Sequence, residues 1–509
     1  MNHLKVFRLF CMVYFLLLIY QQSFGKKIDA SNLNVIAGTS AITGEIKTTD
    51  HINKDNIYVY ITVPHNISGE FVKYKALVDH SGKFSLDSVA IETDTCLVSL
   101  YTSLNPEKYL FVKLINGEVT HLNITFQSDF IIKDIHITPA MNTSDVTRGF
   151  EVMLKALTHK GNRSIEPPLY NQSVGYFQNY VQKILSERLE VIHKDTLISN
   201  DLKELLSKDL RLSIYNAHVF DYENEMYRNF YNLNGNEDQK PDLQKIDRSY
   251  FHFLKDFDLN DPQYLNSLNF LDFQKEILQN ETLGIPMIGD SDIPSWLKKV
   301  KAILSDLVGF DHGSYYDILA ANAYARQLNE EVSPLTVTQK ENITSYWKDG
   351  AIAQILFRKN KEVIALNQLK SPVVVKDVSL VSANKVLETI IAQHQDQVVF
   401  VDLWATWCAP CLEAMQQFRS TKQELKGKGI VFVYLTNSSS PVKLWEEKIK
   451  GIGNEHYYLT DAQWTYLMNH YELEGIPSYL LFNKQGVLVQ KFTGFPGNVE
   501  VRDMINALL

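Results

Sequence analysis

Residues Val398–Cys411 read VVFVDLWATWCAPC. From Val398 to Trp404 only Asp402 is not apolar, the pattern of a strand buried on both faces of a parallel or mixed sheet. Two cysteines follow, separated by Ala409 and Pro410, and LEAMQQFRSTKQELK then supplies a helix. Cys408 therefore stands at a strand-to-helix junction. Unpaired N–H groups and the helix dipole there favour a thiolate, the species that attacks disulfides. Cys411 lies one turn deeper, close enough to displace a mixed disulfide, and Pro410 suits a first helical turn. A bridge at this spacing closes almost no loop, so a structural staple makes little sense.

Outward from this stretch the pattern alternates strand and helix. VVVKDVSL precedes the helix ANKVLETIIAQH, and IVFVYLT is a second buried strand followed by the helix PVKLWEEKIK. GIPSYLLFNKQGVLVQKF reads as a hairpin turned at Gln485-Gly486, and VEVRDMINALL as a closing helix. Upstream, from about 145 to 366, the period is helical, as in SVGYFQNYVQKILSERLEVI and DLKELLSKDLRLSIYNAHVF. The Tyr- and Phe-rich run from Tyr250 to Phe273 fits packing between helices. From about 30 to 140 short alternating segments such as NIYVYITV and EKYLFVKLIN predict strands, with a tight turn at Ser81-Gly82. Asn116-Gly117 is expected to join two of them as a hairpin.

The predicted fold is multidomain. An antiparallel β-sandwich-like domain spans 26–142, an all-α region 143–370 and an α/β domain 371–509. Before them, Lys5 and Arg8 precede an apolar run, Leu9–Tyr20, with small residues at Ser23 and Gly25. Twelve apolar residues fall short of the ~20 that span a bilayer, so residues 1–25 read as a secretory signal peptide cleaved near Gly25. Cleavage leaves Cys96, Cys408 and Cys411, and the strand-like surroundings of Cys96 predict a buried, inert thiol.

Charge and spacing exclude other chemistries. Lys and Arg number 50 against 59 Asp and Glu, a net of -9 with no basic stripe, so nucleic acid is not an expected partner. The fourteen histidines form no H-x-x-x-H pair and no second C-x-x-C exists, which argues against structural zinc. Leu412 stands where a c-type haem site needs His, and phosphate-loop, G-x-S-x-G and H-E-x-x-H motifs are absent. No metal and no cofactor are expected.

VVFVDLWATWCAPC, with EGIPSYLLFNKQG at Glu474–Gly486, resembles the thioredoxin superfamily, and W-C-x-P-C its TlpA/ResA-like branch. The order of segments also resembles multidomain TlpA-family proteins of Bacteroidetes. The resemblance implies a thioredoxin-like fold over 371–509 and thiol-disulfide oxidoreductase activity. It makes Cys408 the attacking thiol and Cys411 the resolving one. Pro477 matches a proline held cis beside the site, Ile476 the residue whose backbone pairs with substrate, and Trp407 the aromatic covering the reactive cysteine. Asp402 matches a buried aspartate, read either as the proton acceptor for Cys411 or as a satisfied structural carboxyl. The branch often carries a glutamate three residues after the second cysteine, followed by Met-Pro. Ala414 and Gln416 depart from this, and Glu413, one place early, is turned by about 100° toward solvent. The missing proline predicts a less kinked helix.

The implied partners are exported proteins bearing disulfides and a membrane thiol-electron carrier; oligomeric state stays open. The implied location is periplasmic or otherwise extracytoplasmic. Three functions remain in play: a reductase, an oxidase or isomerase, and a redox-regulated binding or adaptor protein that uses the β and helical parts.

Overall fold

The computed structural model describes residues 35–48, 56–161, 166–234 and 241–509; the expected signal peptide at 1–25 lies outside them. The chain forms two compact units. One runs to Asn322 and takes in Ser345–Ile355, and the other comprises Ala323–Thr344 and Leu356–Leu509.

The first unit opens with β1 (Val35–Thr48), β2 (Tyr58–His65), β3 (Glu70–Leu77), β4 (Lys83–Thr93), β5 (Thr95–Thr102), β6 (Asn105–Ile115), β7 (Val119–Phe126) and β8 (Ile132–Thr138). They make two four-stranded sheets, ordered β4-β1-β7-β8 and β3-β2-β5-β6. Alternate side chains of both sheets, among them Ile42, Val59, Val98, Val112 and Ile124, meet in one apolar core. The Ser81-Gly82 turn forms as expected, with Asp79 Oδ1 accepting the N–H groups of Ser81 and Lys83 at 2.8 and 2.9 Å.

Two expectations fail here. The strands are not all antiparallel, because β1 and β7 run parallel from Ala41–Val119 to Thr48–Phe126. Five strands intervene between them, and so long a connection lets β7 return in the direction of β1. Asn116-Gly117 closes no hairpin, since β6 and β7 belong to different sheets. Gly117 has φ of 72° but Asn116 is not among the positive-φ residues, whereas the two-residue hairpin turn needs both.

Helices of this unit include Thr143–Thr158, Val174–Lys194, Asn200–Ile214, Tyr222–Asn234, Phe270–Gln279 and Ile293–Val308. Ser173, Ser199 and Asp292 each cap one by accepting a backbone N–H on a side-chain oxygen. The run from Tyr250 to Phe273 is partly 3-10 helix, at Arg248–Asp256 and Pro262–Asn266. Its rings Tyr250, Phe251, Phe253, Phe257 and Phe273 are buried in mutual contact, the packing role expected. Cys96 is also buried, and burial pushes its thiol up to about 12. No described helix is long and apolar enough to cross a membrane.

The second unit holds β9 (Val373–Lys376), β10 (Val398–Leu403), β11 (Ile430–Thr436), β12 (Asn454–Tyr458), β13 (Ser478–Phe482) and β14 (Leu488–Thr493) in the order β14-β13-β10-β11-β12-β9. β9 to β12 pair in parallel, whereas β13 is antiparallel to β10 and β14. The Gln485-Gly486 turn forms as expected. β10 alternates across the sheet. Val398 and Phe400 pack with Met415, Trp445 and Ile505; Val399, Val401 and Leu403 pack with Val386, Ile390 and Leu467. Period two then places Asp402 on the face of Phe400, the layer that also contains Cys411.

The helix after the cysteines is two helices, Ala409–Gln417 and Arg419–Leu425, and the missing proline does not straighten it. The break falls at Phe418, whose buried ring meets Phe400, Phe432 and Phe495. Its N–H is shared between the carbonyls of Ala414 and Gln416.

Candidate active site

Strand β10 delivers the chain to Cys408, which caps the helix Ala409–Gln417. Cys408 Sγ accepts the N–H of Cys411 at 3.2 Å, so the helix start supplies a donor to the sulfur. The two cysteines form a disulfide with Cα atoms 5.3 Å apart. Cys411 is 0% exposed and Cys408 3%. Trp407 beside them is 59% exposed, and its indole N–H donates to Ser439 Oγ at 3.2 Å, while Trp404 is wholly buried.

Opposite in sequence, the Ile476–Pro477 peptide is cis and Pro477 is buried. Ser478 Oγ donates to the Gly475 carbonyl at 2.6 Å, which fixes this corner just before β13. Ile476 is half-buried, and its backbone makes no hydrogen bond among the described residues.

Asp402 sits between Tyr434 of β11 and Tyr479 of β13, its partners in register on either side. The carboxyl is buried and its Oδ1 has no hydrogen-bond partner. Burial raises its pKa to about 8, with the charge of Lys422 pulling the other way. Lys422 donates to Tyr434 Oη at 2.9 Å and to the Ile452 carbonyl at 3.0 Å. Desolvation, then repulsion from Arg419, brings its ammonium down to about 7, against the attraction of Asp402. Tyr479 Oη is buried without a partner.

A buried acid that titrates near neutrality can take a proton from a thiol and return it. Glu413 is exposed and accepts from Gln417 at 3.2 Å, whereas Ala414 is buried, as the one-residue shift requires. Lys422, Tyr434 and Tyr479 were not legible in the sequence as parts of this site. Period two puts a tyrosine within each strand, but only the register sets both beside Asp402.

The Redoxin family matches residues 370–508. Among curated relatives, thiol-disulfide oxidoreductase ResA of Bacillus subtilis is 24% identical over 111 residues, 22% of this chain and 60% of that protein. Thioredoxin Y2, chloroplastic, of Arabidopsis thaliana is 29% identical over 119 residues, 23% of this chain and 56% of that protein. A solved structure described as a thiol-disulfide oxidoreductase from Bacteroides vulgatus is 26% identical, covering 23% of this chain and 82% of that one, with a TM-score of 0.20. The chain thus spans less than two thirds of the curated relatives it matches. Residues 370–508 thus match a redoxin domain, and the same region is similar to the thiol-disulfide oxidoreductase ResA.

Proposed function

We propose that this chain exchanges thiols and disulfides with other proteins, and that it acts as their reductase. The observation that carries the reading is Cys408 capping its helix, its sulfur on the Cys411 N–H, in the layer that holds the buried acid Asp402. In the reduced protein, Cys408 attacks one sulfur of a substrate disulfide, forming a mixed disulfide and releasing the other substrate sulfur as a thiolate. Asp402 takes the Cys411 proton, and the Cys411 sulfur attacks Cys408, breaking the mixed disulfide. The substrate's second thiolate leaves and both substrate sulfurs end protonated. Two electrons have passed to the substrate, and the Cys408–Cys411 disulfide remains. A thiol donor must then reduce it again, and a membrane thiol carrier on the extracytoplasmic side fits that need.

Trp407 and the unbonded backbone of Ile476, beside Pro477, frame the approach of an extended substrate segment. The boundaries near 143 and 371, and the signal peptide at 1–25, belong to the same proposal. The equilibrium reduction potential of Cys408–Cys411, read by alkylation and intact mass in defined thiol buffers, tests the direction. A value near that of thioredoxin, about −270 mV, supports a reductase; one between about −180 and −120 mV overturns it in favour of an oxidase or isomerase.

A further inference from the structure

A cavity of about 110 Å³ in the second unit is lined by Lys370, Arg419, Lys422 and Lys426, with Ser371 and Asn454 beside them and no acidic side chain. The cations disfavour one another. Desolvation lowers the pKa of Lys370, Arg419 and Lys422, and the charge of Arg419 depresses both lysines further. Neutralising groups are committed elsewhere. Glu330 acts on Arg419 from a distance but pairs with Lys448 at 2.5 Å, and Glu331 pairs with Lys450 at 3.4 Å. Lys370 donates to the Glu331 carbonyl at 2.7 Å. The half-buried Arg419 guanidinium makes no hydrogen bond or ion pair among the described residues.

Like charges held together around a partly desolvated space cost free energy that an anion relieves. We propose that this cavity binds a small tetrahedral oxyanion, a phosphate or sulfate group, with Arg419 as its principal anchor. On the same measure a single water needs only about 10–15 Å³, so the space holds several waters and admits a group of five heavy atoms. The guanidinium offers a planar fork of donors to two oxyanion oxygens, and Lys370 and Lys426 add point charges. The cavity shares Lys422 with the Asp402 site, but the proposal is tested by anion binding alone, which needs neither cysteine.

Isothermal titration of the purified full chain with inorganic phosphate, at ionic strength held constant with sodium chloride, tests it. Saturable binding is expected, weakened about tenfold or more in Arg419→Gln and less in Arg419→Lys. The thermal midpoint should rise with phosphate in the parent and not in Arg419→Gln, whose fold is checked without phosphate. Should that variant not fold, Lys370→Gln with Lys426→Gln takes its place. Glycerol phosphate distinguishes the source. If it binds as well, the site takes a phosphate carried by a larger molecule; if only the inorganic ion binds, the site takes the free ion. No saturable binding to the parent, or equal affinity in the folded variants, overturns the proposal and leaves the redox reading intact.

Discussion

Asp402 and Lys422 act on each other by charge beside a shared tyrosine: Lys422 bonds the hydroxyl of Tyr434, and Tyr434 is the register partner of Asp402 across β10 and β11. Both ionisable groups have moved toward neutrality, the acid up to about 8 and the amine down to about 7, because burial penalises each charged form.

Stability should therefore have a minimum near pH 7–8 from this pair. Between its ordinary 3.8 and about 8, folded Asp402 keeps a proton that the unfolded chain has lost. Its stabilising contribution is full below 3.8 and lost as pH rises through about 8, with a limiting slope of about 1.4 kcal/mol per pH unit. Lys422 acts oppositely, adding stability as pH rises from about 7 to 10.5. Urea unfolding at pH 5, 7 and 9 should show the acid limb flattened in Asp402→Asn. An unchanged limb in that variant contradicts the assignment.

Lys422→Met removes a positive charge that lowers the Asp402 pKa. The pH profile of thiol exchange should then shift upward for the limb belonging to the acid. A profile that does not move would mean the two groups are uncoupled.

Asp402→Asn keeps the shape of the side chain and removes its basicity. Above pH 8, where Asp402 is ionised, resolution of the mixed disulfide should slow by about 10²-fold, the lower end of what a positioned base supplies, while Cys408 still attacks. Single-turnover kinetics with a disulfide peptide separates the two steps. Equal slowing of both would assign Asp402 to structure instead.

Within the second unit, Arg326 donates to Glu447 at 2.6 Å, with their side chains 10% and 7% exposed. Glu447→Ala removes the carboxylate paired with a buried arginine and should destabilise the protein by a few kcal/mol, up to about 3–5, in urea unfolding. Replacing both residues by apolar side chains should cost much less. Gly451, in the same helix as Glu447, lets that helix approach Glu330, since a Cβ there would stand 2.1 Å from the Glu330 carbonyl oxygen.

The sequence of residues 371–509 discloses its order of strands and helices because buried strands and amphipathic helices carry distinct periods. It shows Cys408, Cys411 and Asp402 because they lie in one contiguous stretch, Val398–Cys411. The break at Phe418 escapes it, since ring packing among Phe400, Phe432 and Phe495 leaves no local mark. Lys422 reads as one more polar residue of RSTKQEL, and its place beside Tyr434 depends on tertiary packing. The Asn116-Gly117 turn misleads for a related reason. A turn residue fixes local φ, but the sheet that the next strand joins is decided by its core face.

The central claim is that Cys408 attacks and Cys411 resolves. The most direct test is to mix reduced Cys411→Ser and, in parallel, Cys408→Ser with a disulfide-bearing peptide and read intact mass. The account predicts that Cys411→Ser accumulates the protein–peptide mixed disulfide while Cys408→Ser, at the same pH and time, traps none. Equal trapping by the two variants, or trapping by Cys408→Ser alone, would contradict it.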